Sequence, residues 1–123
     1  MLFNQPAGHL ELNESLVEAC AREVLEESAW HFRPRELVGI YRWSKPASAS
    51  SPGVTYLRFA FCGALGAHEP ARALDTGIMR AVWLSPEEIR AARERHRSPL
   101  VLRCVEDHLA SKRYPLDVLV EYA

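Results

Sequence analysis

The sequence feature that most constrains this chain is an acidic cluster in a predicted helix near its N-terminus. Glu23, Glu26 and Glu27 stand at positions i, i+3 and i+4, so a helix places their carboxylates on one face. Like charges at this spacing destabilise a bare helix. Mg²⁺ or Mn²⁺ would relieve the repulsion, because a hard cation binds carboxylate oxygens and brings substrate phosphates with it. The spacing alone leaves two interpretations open, a metal site and a solvated acidic face.

A wider pattern surrounds these carboxylates. It consists of Gly8, five residues, Glu14, seven residues, Arg22-Glu23-Val24, one residue, and Glu26-Glu27. At roughly 5–7% usage for each residue type, a chance match at six positions occurs about once in ten million trials. The pattern resembles the Nudix box, the signature of the Nudix hydrolases. It departs from the family at Ala29, where a glycine is expected, and a left-handed alanine at a helix end costs about 1–2 kcal/mol.

A narrower resemblance covers most of the chain. From Leu2 to about Leu116 the sequence is similar to the NudJ-type phosphatases. The segments that carry this similarity are 4–11, 83–85 with 87–88, 97–101 and 113–116. The resemblance implies an α/β (α+β) fold, an α/β/α sandwich around a mixed sheet, in one domain over residues 1–123. It also implies a Mg²⁺-dependent phosphatase acting on nucleoside di- and triphosphates and on the pyrophosphate of the thiamine pyrimidine precursor.

The predicted site joins metal ligands to groups that handle protons. Glu23, Glu26 and Glu27 are the predicted metal ligands, and the resemblance adds the carbonyl oxygen of Gly8 or its neighbour Ala7. A carboxylate must take the proton of the attacking water, with Glu23 as first choice and Asp75 as second. Arg22 adjoins Glu23 and is predicted to orient the carboxylates through charge-assisted hydrogen bonds.

Substrate-binding residues are harder to identify from the sequence. Arg58, on a predicted strand, is a candidate for a substrate phosphate, with a structural role as the alternative. Phe3 is a candidate for stacking on the leaving group, together with Trp30, Tyr41 and Trp43, whereas aromatic residues near strands also serve as core.

Composition excludes several classes of protein. Hydrophobic content of 48%, charged content of 25% and a net charge of −1 describe a globular domain without the basic excess of a nucleic-acid-binding surface. No apolar run approaches the length of a membrane span and no signal peptide is recognisable, which predicts the cytoplasm. Cys20, Cys62 and Cys104 are odd in number and far apart, which favours buried hydrophobic side chains over a disulfide framework.

Local patterns predict the remaining elements. They are a strand over 1–5, a helix over about 14–28 with Asn13 as N-cap, a loop at Pro34, strands over 36–43, 54–65 and 78–84, a hairpin loop over 45–53, an irregular segment over 66–77, a helix after the capping box at Ser85, a helix over about 98–112, and a tail over 117–122. Helical spacing puts Leu100, Val101, Cys104, Val105 and His108 on one stripe.

The N-terminus and the box leave alternatives to a working enzyme. Strands that the family places before the box are absent from the sequence, which predicts an exposed sheet edge. Either the start is internal to a longer natural chain, or a second copy covers the edge in a homodimer. A catalytically impaired nucleotide-binding module, suggested by Ala29 and the missing strands, is one alternative function. An interaction fragment with an incidental acidic helix is another.

Overall fold

A computed structural model describes residues 2–122 of the chain. The main elements are α1 (Leu16–Ser28), β1 (Trp30–Lys45), β2 (Val54–His68), α2 (Pro86–Ala91), α3 (Leu100–Leu109) and β3 (Tyr114–Pro115). Two 3₁₀ turns, Arg93–Arg95 and Leu116–Val118, complete the regular structure.

The sheet is built on a long hairpin. Its strand order is β2-β1-β3, and both strand pairs are antiparallel. Residues 46–53 connect β1 to β2, which confirms the predicted hairpin loop. In the described part of the chain, the parallel component of the predicted mixed sheet is limited to an isolated bridge between Phe3 and His96. Helices α1 and α3 both pack against β1. The buried apolar side chains are Ala19, Ala29, Pro34, Leu37, Val38, Leu100, Val101 and Cys104.

The start of α1 lies two residues later than predicted. Asn13 is not the N-cap, because it adopts a left-handed turn conformation with φ of 61°. Ser15 caps the helix: its hydroxyl accepts the N–H of Glu18 at 3.0 Å, and the Glu18 carboxylate accepts the N–H of Ser15 at 2.9 Å. These reciprocal bonds satisfy two amide donors that the first turn would leave unpaired.

The end of α1 lies where the box places it. Ala29 follows the last helical residue, Ser28, with φ of 64° and ψ of 16°, in the left-handed region. Its N–H donates to the carbonyl of Leu25 at 2.9 Å. Ala29 is also buried, at 4% exposure. The alanine therefore closes the helix in the conformation expected of the glycine, and burial of its methyl group offsets part of the backbone strain.

Strand β1 corrects the prediction of a loop at Pro34. The strand begins at Trp30 rather than Glu36, and Pro34 lies buried within it. Proline cannot donate to a ladder, so it is accommodated at a bulge, where the pairing shifts between Pro34 and Glu36. Gly63 stands opposite Pro34, and a Cβ there would overlap the carbonyl oxygen of Arg33. A glycine is thus required where the bulged strand approaches β2.

Two predicted strands are absent from residues 2–122. In place of the strand over 1–5, Phe3 exchanges two backbone bonds with Arg95 and Arg97, and Met1 lies outside the described residues. Residues 78–84 form no strand, since no strand of the described chain pairs with them. An apolar, β-branched sequence becomes a strand only where a neighbour accepts its backbone bonds. Met79 and Trp83 in this segment are consequently 77% and 70% exposed.

The C-terminal helices follow the sequence signals more closely. Ser85 caps α2 through the predicted capping box with Glu88, and Pro86 occupies the first turn. Helix α3 is shorter than the predicted span of 98–112. His108 is exposed rather than part of the buried stripe, and Asp107 is buried beside it. The Asp107 carboxylate is satisfied by Tyr41, Arg103 and Lys112.

Candidate active site

Arg22 is the hub of the loop–helix motif. Its guanidinium donates from Nε to Glu14 Oε2 at 2.6 Å, and from Nη1 to Glu23 Oε1 at 2.6 Å and Glu26 Oε2 at 3.2 Å. A further bond from Nη2 reaches the carbonyl of His9 at 2.9 Å. One side chain therefore ties the glycine-containing loop to two of the helix carboxylates. The hydrogen bond from Arg22 holds the pKa of Glu14 below its usual value, and the same bond raises the pKa of Arg22.

Gly8 brings the loop against the helix. A Cβ on residue 8 would overlap the Glu23 carboxylate, whose carbon and both oxygens are its nearest neighbours. No other amino acid fits this position without displacing Glu23. The glycine of the box is thus explained by a close approach between the loop and a predicted metal ligand.

Three carboxylates converge at one end of α1. One oxygen each from Glu23, Glu26 and Asp75 lie within 4.8 Å of one another. Asp75 belongs to the irregular segment after β2, and its N–H donates to the carbonyl of Glu26 at 3.0 Å. An oxygen-rich anionic group of this kind fits Mg²⁺ or Mn²⁺, because hard cations prefer carboxylate ligands.

Glu27 lies beside this group in a different environment. The helix places it near the same face, and its Oε2 accepts the N–H of Ala7 at 3.0 Å. The pKa of Glu27 is raised to about 7, chiefly by burial and next by a hydrogen bond with the Glu23 carboxyl. Two carboxyl groups can share a hydrogen bond only if one holds a proton. These contacts therefore favour the protonated form of Glu27 more than solvent would.

The predicted substrate-binding residues are engaged elsewhere. Arg58 donates to the Gln5 side chain at 3.2 Å, and Gln5 in turn donates to the carbonyl of Val101 at 2.7 Å. Arg58 thus links the segment before Gly8 to α3. The Phe3 ring lies 4.5 Å below the guanidinium of Arg95. Substrate contact by Arg58 or Phe3 stays a prediction, as do the catalytic and metal-binding roles.

Three of the aromatic candidates' ring contacts fall into two separate groups. Trp30 stacks on His68 at 4.5 Å and meets Trp83 edge-on at 5.8 Å, whereas Trp43 stacks on Tyr56 at 5.5 Å. Tyr41 is a structural residue, since its hydroxyl donates to the Asp107 carboxylate at 2.7 Å.

Sequence reasoning assigned Asp75 to proton transfer and missed its place among the clustered carboxylates. Asp75 lies 48 positions after Glu27, and nothing in its neighbours specifies the contact with the helix. The only available signal was an acidic residue in the loop before the Trp83 segment.

Comparison with known proteins identifies the family of the chain. The NUDIX domain family matches residues 2–104 of the chain. The chain belongs to the Nudix family. Phosphatase NudJ from Escherichia coli K12 is 37% identical over 121 residues, which covers 98% of this chain and 75% of that protein. The NudJ phosphatase of Shigella flexneri gives the same values.

A solved structure shares the Nudix fold. A NUDIX hydrolase from Nitrosomonas europaea superposes with a TM-score of 0.88 at 54% identity, over 97% of this chain and 78% of that chain. The α+β Nudix fold is thereby confirmed, and the chain is a Nudix hydrolase, an enzyme that acts on phosphoanhydrides of small-molecule phosphate substrates. Within residues 2–122, the helices are all too short or too polar to cross a bilayer.

Proposed function

We propose that this Nudix hydrolase is a Mg²⁺-dependent phosphatase of nucleoside di- and triphosphates, which also accepts the pyrophosphate of the thiamine pyrimidine precursor. The observation that carries the proposal is the meeting of Glu23, Glu26 and Asp75 within 4.8 Å at the end of the Nudix helix. Relatives named NudJ phosphatases, 37% identical to the chain, support the reaction class. A cytoplasmic location and the absence of a nucleic-acid polymer partner remain predictions from composition.

The proposed metal ligands are Glu23, Glu26 and Glu27, with Asp75 now added and Gly8 contributing its carbonyl oxygen. When bound, Mg²⁺ or Mn²⁺ neutralises phosphate oxygens and lowers the pKa of a coordinated water. Arg22 holds Glu23 and Glu26 in place, so the carboxylates meet the ligand without rearranging. Positioning and charge neutralisation account for most of the catalysis of phosphoryl transfer, and little covalent chemistry falls to the protein.

Proton acceptance is proposed for a carboxylate of the same group. Glu23 is the first choice and Asp75 the second, as expected from the sequence. Glu27 is a third candidate, because a pKa of about 7 suits a general base at neutral pH. The pH profile of kcat in Glu23→Gln, Asp75→Asn and Glu27→Gln distinguishes the three. The variant that loses the acidic limb of the profile identifies the base.

The reaction test is a panel of nucleoside di- and triphosphates and the thiamine pyrimidine pyrophosphate, assayed with Mg²⁺, with Mn²⁺ and with EDTA. We expect metal-dependent release, with orthophosphate and pyrophosphate scored separately.

The variant Glu26→Gln tests whether the clustered carboxylates are needed for this release. Its charge-matched control is Glu94→Gln, because Glu94 is an exposed acidic residue outside the site. Binding of nucleotides without turnover would instead identify an impaired module. The left-handed Ala29 removes one reason for that alternative, because it closes α1 at the position of the missing glycine.

We also propose that two copies pair through the outer edge of β2. In the described chain this edge pairs with no other strand, and Tyr56, Leu57 and Leu65 on it are 40%, 63% and 46% exposed. The chain exposes 8682 Å², whereas a folded monomer of 13.9 kDa exposes about 6,700 Å². The excess is more than the roughly 800 Å² per partner that a standard interface buries. Sedimentation velocity tests the pairing: Leu57→Glu should shift a dimer to monomer, and a monodisperse wild-type monomer would exclude it.

A further inference from the structure

A groove lies on the flank of α1, between the helix and the ends of β1 and β2. It encloses about 510 Å³. We call it the arginine groove, and its walls include Leu25, His31, Phe32, Arg33, Arg35 and Leu65. Arg22 also lines it, and the guanidinium of Arg22 is bound to Glu14 and Glu23.

The charged residues at the start of β1 alternate with less exposed residues. His31, Arg33 and Arg35 are exposed, whereas Phe32 and Pro34 between them are half-buried and buried. Cross-strand pairing passes from Pro34–Gly63 to Glu36–Cys62, which leaves Arg35 at the bulge without a partner on β2. Bulges redirect the side chain they carry and recur beside functional sites.

The two strand arginines have no counter-charge. Neither Arg33 nor Arg35 forms an ion pair or a side-chain hydrogen bond with any residue of 2–122. The neighbouring carboxylates are already engaged. Glu36 pairs with Arg113 at 3.8 Å, and Glu69 contacts both His31, at 2.5 Å, and Arg72, at 3.6 Å.

Apolar residues also line the groove. Leu25, Phe32 and Leu65 line the same space as the two arginines. A guanidinium matches a phosphate group with two parallel hydrogen bonds and is weakly hydrated. An apolar wall next to it accommodates a flat ring better than a second charge.

We propose that the arginine groove binds a phosphate monoester that carries a flat aromatic ring, at a second site outside the clustered carboxylates. Arg33 and Arg35 bind the phosphate, and Leu25, Phe32 and Leu65 contact the ring. Binding at this site needs no divalent metal, since its charge is already opposite to that of the ligand. The proposal goes beyond the hydrolase reaction and does not depend on it.

The test uses the full chain in EDTA, so that the active site cannot bind phosphates through a metal. Adenosine monophosphate, inorganic phosphate and adenosine are titrated in turn by calorimetry. The variant is Arg33→Gln with Arg35→Gln. Its control is Arg42→Gln with Arg80→Gln, which removes the same charge from two exposed arginines outside the groove.

We expect wild type and control to bind adenosine monophosphate with equal Kd and the groove variant to bind at least about tenfold more weakly, the effect of roughly one charge-assisted hydrogen bond. Inorganic phosphate should bind more weakly than the nucleotide, and adenosine more weakly still. Three results would each overturn the proposal. They are no binding of adenosine monophosphate by metal-free wild type, an unchanged Kd in the groove variant, and binding of adenosine as tight as that of the nucleotide. If the variant fails to fold, amide shifts in wild type decide: shifts centred on 31–35 and 64–66 support the groove, and shifts elsewhere exclude it.

Discussion

The Glu23 carboxylate occupies the space in which a side chain on Gly8 would begin. The close approach of the loop to the helix therefore depends on two things: the absence of a side chain at residue 8 and the position of the Glu23 carboxylate. Gly8→Ala should displace the far end of Glu23, a flexible side chain, rather than the backbone. We expect turnover to fall about a hundredfold, as for other small displacements of catalytic groups, with little change in melting temperature.

Gly66→Ala is the matched control for this substitution. A Cβ at Gly66 would meet its nearest side-chain atom, Cβ of His31, at 3.4 Å, which is an ordinary contact. Steady-state kinetics and circular dichroism melting on both variants provide the measurement. Equal turnover in Gly8→Ala and Gly66→Ala would show that the close approach does not matter for the reaction.

Glu26→Gln and Glu27→Gln should each lower turnover by orders of magnitude while the fold is retained. The physical reason is the convergence of like charges: removing one relieves repulsion in the metal-free protein, so its melting temperature should hold or rise. Asp75→Asn should behave in the same way, since Asp75 shares the group with Glu23 and Glu26. The measurement is kcat at saturating Mg²⁺, and near wild-type activity in these variants would remove the metal-site proposal.

The stability of the metal-free protein should fall as the pH rises from about 4.5 to 7. Burial raises the pKa of Glu27 from 4.5 to about 7, so over this window the folded state keeps a proton that the unfolded state has released. Stability from this group is complete below the unfolded value and is lost through the folded value. Urea unfolding in EDTA at several pH values across this range measures how the free energy of unfolding changes with pH. Glu27→Gln should flatten this dependence and Glu94→Gln should not.

Divalent metal should stabilise the folded protein. An ion that binds the folded state alone adds about 2.7 kcal/mol at a hundredfold excess over its Kd. Mg²⁺ or Mn²⁺ should therefore raise the melting temperature, and Glu23→Ala should reduce the rise. Differential scanning fluorimetry at several ion concentrations measures it. A melting curve that millimolar Mn²⁺ leaves unmoved would favour the solvated acidic face.

Sequence patterns predicted the parts of this structure that depend on neighbours along the chain. The box gave the helix and the shared face of Glu23, Glu26 and Glu27, and the second capping box gave α2 from Ser85. At the start of α1, the sequence analysis predicts Asn13 as the N-cap, whereas Ser15 caps the helix. The capping box with Glu18 favours serine, and that local signal was overlooked.

The errors lie where distant residues decide the outcome. Pro34 fits inside β1 because Gly63 on the other strand lets the backbones approach, which the sequence around Pro34 does not reveal. Residues 78–84 have the composition of a strand but lack a neighbour in the described chain. Asp75 reaches the active site through one backbone bond to Glu26, a contact without a sequence signature.

We expect the backbone bond between Asp75 and Glu26 to limit the temperature at which the enzyme is active. The N–H of Asp75 donates to the carbonyl of Glu26 in the last turn of α1. The ends of a helix open more readily than its middle. This end is closed by Ala29, which has a strained left-handed conformation. Opening of this end would detach one clustered carboxylate while the β1–β2 hairpin stays intact. Activity measured against temperature should therefore decline several degrees before the global melting transition, and Ala29→Gly should narrow the gap. Heat would switch the enzyme off at the helix end before it unfolds the protein.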